Sequence, residues 1–226
     1  MELKEPIDLP KDPITNQTVV PVKVGKGVDM VTILSFGHIV YDRVSFHSQR
    51  YLYPVGYTCR RQYASTRVVG QKSEYLCEIL DNGDAPSFRI TALDEHDNPT
   101  QDVFEASSAS GAWKKVTDAI KTLPDAGQSR THASGPQLFG FSLLPIVKVV
   151  QELPGAEQCS RYVPQRWVGQ VYNEETKSAK PNPNKRRKSS TPWLESSKYR
   201  NDVYLSDSEE YGKINNAVRR GYLLGN

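Results

Sequence analysis

The sequence has 226 residues and a formal net charge of +3, yet residues 1–163 carry 17 basic and 19 acidic side chains whereas residues 164–226 carry 12 and 7. The first part has no surplus of positive charge to draw it onto phosphates, so the net positive charge belongs to the C-terminal part. No run approaches the roughly 18 apolar residues of a membrane span, and the N-terminus lacks the order of a secretory signal, so no membrane or secreted protein is expected.

The N-terminal third predicts an extended arm followed by strands. Residues 1–17 contain three prolines and many charges, which is typical of an arm. Thr18–Val24 is rich in β-branched residues and predicts a first strand. Further strands are predicted at Val31–Phe36 and Ile39–Tyr41, with Gly37 interrupting them.

A β-hairpin is predicted between residues 73 and 92. Ser73–Leu80 alternates apolar and polar residues, and the alternation resumes at Phe88 after a polar segment that contains Asn82-Gly83. Such a pattern favours two antiparallel strands joined by a turn, here a loop longer than the tight two-residue type. The hairpin is expected to bury one face, formed by Tyr75, Cys77, Ile79, Phe88 and Ile90.

Helical spacing replaces the alternation after residue 108. One helix is predicted from Trp113, Val116, Ile120 and Leu123, with Ser108 or Ser110 as its N-cap and Pro124 at its end. A second is predicted to begin near Ser142 with the apolar stripe Leu143, Ile146, Val147 and Val150, and to stop at Pro154-Gly155. Strands followed by helices predict an α+β fold, an antiparallel β-sheet with helices packed on one face. Residues 166–226 are expected to be a basic, mostly disordered tail.

Short motifs in this order resemble the FY-rich family, whose members carry an FYRN half and an FYRC half. The FYRN-like strings are Phe46-His47-Ser48, the run Tyr51–Tyr57, the run Arg61–Thr66 and the run Tyr75–Ile79. The FYRC-like residues are Trp113, the run Ser134–Phe141, the run Leu153–Ala156, Cys159 and Tyr162. The resemblance covers roughly residues 31 to 165.

The resemblance implies that residues 31–93, the FYRN half, and residues 94–165, the FYRC half, fold together as one module behind an N-terminal arm and first strand at residues 1–30. The order of the halves is similar to that in the transforming growth factor beta regulator family, whose proteins are tied to chromatin and transcription. Some histone methyltransferases and demethylases carry the same halves beside catalytic domains, for which this chain has no room. Ala64 also departs from the methyltransferase pattern, where a Trp is usual.

No catalytic, cofactor-binding or metal-ligating residue is expected. Gly25-Lys26-Gly27 lacks the rest of a phosphate-binding loop, and the four histidines show no metal spacing. The three cysteines are odd in number and far apart, which favours packed thiols in a reducing compartment. A pair formed by Cys59 and His47 stays open as a minor alternative. A small hydrolase also stays open, because a site assembled only in three dimensions can escape a search of the sequence.

The aromatic density around residue 55 suggests an interaction surface. Candidate members are Tyr51, Tyr53, Tyr57, Arg60 and Arg61, which could receive a peptide strand or contact nucleic acid. The competing interpretation is a strand with Tyr63 buried and its arginines either solvated or paired with Glu74 and Glu78 on a neighbouring strand.

The C-terminal part offers one compact basic run, formed by Lys185, Arg186, Arg187 and Lys188, which is typical of a nuclear-import signal or a phosphate-contact patch. Candidate phosphorylation sites follow it at Ser189, Thr191, Ser206 and Ser208. Because each phosphate adds about −1.5 to −2 charges, Ser189→Glu with Thr191→Glu is expected to reduce nuclear import or nucleic-acid affinity. Unchanged localisation and binding of this variant would count against the prediction.

These observations predict a non-enzymatic scaffold subunit of a nuclear, chromatin-modifying or remodelling complex that regulates transcription. Expected partners are chromatin-complex proteins and the nuclear import machinery, with weak nucleic-acid contact through the tail, and neither a membrane nor a small-molecule substrate. The alternative is a direct DNA- or RNA-binding protein that uses the basic tail and an arginine-rich strand.

Overall fold

A single antiparallel sheet organises the chain. The computed structural model describes residues 4–124 and 134–167 and, for the backbone alone, residues 203–204. The strands lie in the order β6-β5-β4-β3-β2-β1-β7. They are β1 Val22–Val24, β2 Val31–His38, β3 Val55–Ala64, β4 Lys72–Asn82, β5 Ala85–Leu93, β6 Pro99–Ala106 and the two-residue β7 Val203–Tyr204.

The helices follow β1 to β6 in sequence and cover one face of the sheet, so the predicted α+β fold is confirmed. They are α1 Ala109–Lys121, the one-turn α2 Gly135–Leu138 and α3 Leu144–Glu152. Inward side chains of the strands share one apolar core with α1, with α3 and with the segment between α2 and α3. Both halves therefore enclose a common interior.

The predicted hairpin is β4 and β5. Cys77 lies opposite Ile90 and Ile79 opposite Phe88, and all four side chains are buried as expected. The turn is tighter than predicted, because Asn82 pairs with Ala85 and leaves only two residues between the strands. Gly83 has a φ of +73°, the left-handed conformation that a two-residue hairpin turn favours.

Three predicted boundaries were wrong in the first half of the sheet. β1 is confined to Val22–Val24, β2 continues through Gly37 to His38, and Ile39–Tyr41 is not a strand. Gly37 is accommodated at a φ of +67°, where an added Cβ would overlap the backbone of β3. Gly37 therefore marks a place where β2 and β3 approach closely, and it does not mark the end of β2.

The last long strand, β6, was missed by the sequence analysis. Its residues Pro99–Ala106 alternate between half-buried and exposed positions and include Gln101, Asp102 and Glu105. An edge strand of this polarity lacks the apolar alternation that reveals buried strands.

Two helix predictions are confirmed, with one correction to the core. Ser108 caps α1, its Oγ accepting a hydrogen bond from the Gly111 amide at 3.1 Å. On α3, Val147 was predicted to be buried but is only half-buried, while Lys148 faces inward with a side chain that is 9% exposed. The Lys148 ammonium binds Glu5 at 2.7 Å and Asp8 at 2.6 Å. This pairing fixes the N-terminal arm, whose Leu9 is buried in the core.

The start of α2 packs against the start of α1 without room for a side chain at Gly135. A Cβ at this position would overlap backbone atoms of Ala109 and Ser110. Gly135→Ala is therefore expected to reduce the free energy of unfolding by about 1–3 kcal/mol, because two backbones must separate. Chemical denaturation measures this loss, and Ser134→Ala at the neighbouring exposed position is the control, expected to stay within about 0.5 kcal/mol. Equal stability of the two variants would contradict the packing described here.

Candidate functional site

The two halves meet where β3 faces the segment that follows α2. Three successive inward side chains of β3, those of Tyr57, Cys59 and Arg61, point to the backbone of residues 137–139. The Tyr57 hydroxyl donates to the Phe139 carbonyl at 2.6 Å, and the Cys59 thiol lies 3.8 Å from the same oxygen. Because strand residues two apart share a face, this contact follows from the alternation of β3.

Arg61 is the charged member of this contact. Its guanidinium is buried, with the residue 4% exposed. It donates to the carbonyls of Leu138 at 2.9 Å, Gln137 at 3.4 Å and Val28 at 2.5 Å. The carbonyls at the C-terminal end of a helix lack partners within the helix and carry partial negative charge. Arg61 thus donates hydrogen bonds to carbonyls at the C-terminal end of α2 and connects this helix to the loop before β2.

Aromatic rings surround this contact. The rings of Tyr57 and Phe141 have centroids 4.8 Å apart, and Phe88 meets Phe139 edge-on at 5.5 Å. Tyr53 also packs edge-on against Phe88, at 5.2 Å. The residues that make the chain aromatic-rich therefore join strands of the first half to the loop of the second, which is a structural role.

The five residues of the predicted interaction surface do not lie together. Tyr57 and Arg61 are buried, and their burial removes them from any surface. Tyr51 and Tyr53 are half-buried against the core. Arg60 lies on the opposite, helix-free face of the sheet, because neighbouring residues of a strand point to opposite sides.

On the helix-free face, arginines and carboxylates lie beside one another. Arg60 forms an ion pair with Asp97 and approaches Glu74 at 4.0 Å, and Arg89 binds Glu105 at 3.0 Å. Burial raises the pKa of Glu74 and of Glu78 on β4. The competing interpretation, in which the arginines pair with a neighbouring strand, fits Arg60 and Glu74. Among the described residues, this face therefore offers no array of unpaired arginines for phosphates, and the basic run on which the nucleic-acid alternative also depends lies outside those residues.

The Cys59 and His47 pair does not form. The Cys59 thiol approaches the Phe139 carbonyl, while both ring nitrogens of His47 are buried without a hydrogen-bond partner. Burial raises the pKa of the Cys77 thiol, and that of Cys159 to about 11, so both remain protonated near neutral pH. In the described ranges, no three His, Cys, Asp or Glu residues could hold a metal ion, and no helix is long and apolar enough to cross a membrane.

The two halves also contact each other in a second region, where apolar side chains are exposed. The segment after β2 lies beside the segment after α3: the Val163 amide donates to the Gln49 carbonyl at 3.1 Å, and Arg161 reaches the Val44 carbonyl at 3.5 Å. Tyr41, Val44 and Val163 are 46%, 55% and 54% exposed. We refer to Tyr41, Val44, Arg161 and Val163 as the junction surface. Sequence patterns could not reveal it, because its parts lie more than a hundred residues apart.

His47 lies buried behind the junction surface. Its burial, aided by the positive charge of Arg161, lowers the pKa of the imidazole below 6.5. The unfolded chain therefore takes up a proton at higher pH than the folded chain does, so stability is lost as the pH falls below about 6.5. We expect the free energy of unfolding to fall between about pH 7.5 and 5.5, and His47→Gln to flatten this dependence. Parallel pH profiles for the two proteins would contradict the assignment.

The predicted sites of the C-terminal part fall outside the described residues. This applies to the basic run at 185–188, to Ser189 and Thr191, to Ser206 and Ser208, and to the expectation of disorder. Those expectations remain predictions.

Comparisons with known proteins match both halves of the module. The F/Y-rich N-terminus family matches residues 20–82, and the F/Y-rich C-terminus family matches residues 85–167. Human transforming growth factor beta regulator 1 is 34% identical over 167 residues, 74% of this chain and 37% of that protein. The Drosophila histone-lysine N-methyltransferase trr is 31% identical over 60% of this chain but only 6% of its own length, and rice histone-lysine N-methyltransferase TRX1 is 31% identical over 63% and 14%.

Proposed function

Since the chain belongs to the FY-rich family, with an FYRN half directly followed by an FYRC half, we propose that it is a non-enzymatic interaction module of nuclear, chromatin-associated assemblies. It acts as a scaffold that holds a protein partner in a complex that modifies or remodels chromatin and regulates transcription. Its similarity to histone methyltransferases covers a small share of each enzyme, 6% of trr and 14% of TRX1. Their catalytic activity therefore gives no ground for a methyltransferase role here.

The exposed apolar side chains of the junction surface carry this proposal. Tyr41 and Val44 belong to the first half and Val163 to the second, so the surface exists only when the two halves are folded together. Contiguous exposed apolar residues mark protein contacts more often than single ones do. Arg161, whose guanidinium lies 3.5 Å from the Val44 carbonyl, adds a residue type enriched at interfaces.

Quantitative affinity purification of the tagged full chain from nuclear extract tests the proposal. Val44→Glu with Val163→Glu places two charges on the junction surface and is expected to reduce recovery of chromatin-complex proteins by about tenfold or more. Val103→Glu is the matched control, since Val103 is 48% exposed on β6, away from the junction. Thermal melting establishes that all variants are folded.

Two outcomes would contradict the proposal. One is recovery of the same chromatin proteins by the junction variant and the unaltered chain. The other is the absence of chromatin proteins among the partners of the unaltered chain, which would contradict the nuclear role.

The import and regulation of the module are proposed to reside in the C-terminal part. The run Lys185–Lys188 serves as the import signal, and phosphorylation at Ser189 and Thr191 weakens it by adding negative charge beside it. Support comes from the contrast between the net positive C-terminal part and the slightly acidic module.

A further inference from the structure

The two edges of the sheet differ in how they are closed. At the β6 edge, α1 packs alongside the strand and the Lys115 ammonium donates to the Glu105 carbonyl at 2.7 Å. Asp102 on the same strand is held by Arg67 at 2.8 Å. Helix α1 and the ion pair between Arg67 and Asp102 thus hinder the pairing of a further strand with β6.

At the other edge, β1 accepts another strand. The backbone of Val203–Tyr204 pairs antiparallel with β1, with Tyr204 opposite Lys23 and Val203 opposite Val24. The edge of β1 that pairs with this segment is short. Pro21, which precedes β1, has no amide hydrogen to donate, and at Gly25, which follows β1, the backbone changes direction with a φ of +93°. It can therefore hold an extended peptide of only about three residues.

A strand pairing of two residues is only weakly stable by itself. Each backbone hydrogen bond adds little net stability, so a separate peptide of two or three residues would be held weakly. A segment of the same chain differs, because tethering raises its effective concentration to the order of millimolar. The tether starts at Trp167, which is buried. Residues 168–202 separate it from Val203, a length of sequence sufficient to cross the roughly 30 Å width of a module of this size.

We infer that the β1 edge is a strand-docking site whose resident ligand is the chain's own segment at Val203–Tyr204. Docking attaches the chain to the sheet at Val203–Tyr204 and protects the edge from pairing with other chains. The basic run, Ser189 and Thr191 lie between Trp167 and this segment in the sequence. The inference does not depend on the proposed chromatin role.

Cysteine cross-linking in the full chain tests the register. Residues directly opposite on antiparallel strands have Cβ atoms roughly 4.5–5.5 Å apart, within reach of a disulfide after small adjustments. Lys23→Cys with Tyr204→Cys is expected to form an intramolecular disulfide about tenfold more readily than the control Lys23→Cys with Ser196→Cys, whose second cysteine lies eight residues earlier in the sequence than Tyr204. The three native cysteines are buried, so they compete little.

Amide hydrogen exchange gives an independent measure. Val203→Pro with Tyr204→Pro removes the backbone amide hydrogens of both residues, so neither can donate to β1. Amide hydrogen exchange at Val22–Val24 should then accelerate about tenfold. Ser196→Pro with Ser197→Pro is the matched control and should leave exchange at β1 unchanged.

Equal cross-linking of the two cysteine pairs, or unchanged exchange in the 203–204 variant, would overturn the inference. A disulfide that joins two chains instead of one would overturn it as well, since the ligand of the edge would then be a second copy. Folding of each variant is established by its melting temperature. Partner recovery from nuclear extract is not used, so failure of this site and failure of the proposed function remain distinguishable.

Discussion

Arg61→Met is expected to lower the free energy of unfolding by about 3 kcal/mol, because it leaves the buried Leu138 carbonyl without a donor and removes the hydrogen bond to the partly buried Val28 carbonyl. Methionine keeps much of the apolar stem and so isolates the loss of the guanidinium. For a chain of this size the melting temperature should fall by about 6–12 °C. Arg61→Lys should recover only part of the loss, since an ammonium cannot reproduce the planar fork that reaches carbonyls of two segments.

Arg60→Met is the matched control for this prediction. Arg60 is the adjacent residue, of the same type, on the opposite face of the same strand; its side chain is 12% exposed and pairs with that of Asp97, which is 43% exposed. Its loss should cost less than that of Arg61, because the Asp97 carboxylate left behind stays in contact with water. If both variants lose the same stability, Arg61 does not hold the two halves together in the way its contacts indicate.

Trp113→Ala is expected to destabilise the module by about 3–5 kcal/mol, since it empties the largest side-chain volume between α1 and the sheet. Trp113 is 1% exposed, and its ring meets Tyr63 at 5.1 Å and Tyr75 at 5.7 Å in edge-on contacts. Both tyrosines come from the first half and Trp113 from the second. The cavity would therefore open between the halves, where neighbouring strands cannot easily collapse into it.

Chemical denaturation of Trp113→Ala and Lys114→Ala provides the comparison. Lys114 is the next residue of α1, is exposed and pairs with Asp118 one turn away. Loss of such a helical pair costs about 0.3–0.5 kcal/mol. A melting shift of only a degree or so for Trp113→Ala would show that the ring does not anchor the helix to the sheet.

Local sequence patterns were enough to predict the elements that have a strong period or a clear cap. The alternation of Tyr75, Cys77 and Ile79 predicted β4, and the helical spacing from Trp113 with Ser108 before it predicted α1. The family motifs also indicated that the two halves form one module. These features depend on neighbours within a few residues, so one chain carries enough information for them.

The side of the sheet that each functional candidate occupies, and the groups it contacts, depend on the three-dimensional fold. Arg60 and Arg61 look alike in sequence, yet one binds Asp97 on the helix-free face and the other is buried against the carbonyls of residues 137 and 138. The junction surface and the pairing of Val203–Tyr204 with β1 join segments far apart in the chain. Such contacts depend on strand register and long loop closures, and no local period encodes them.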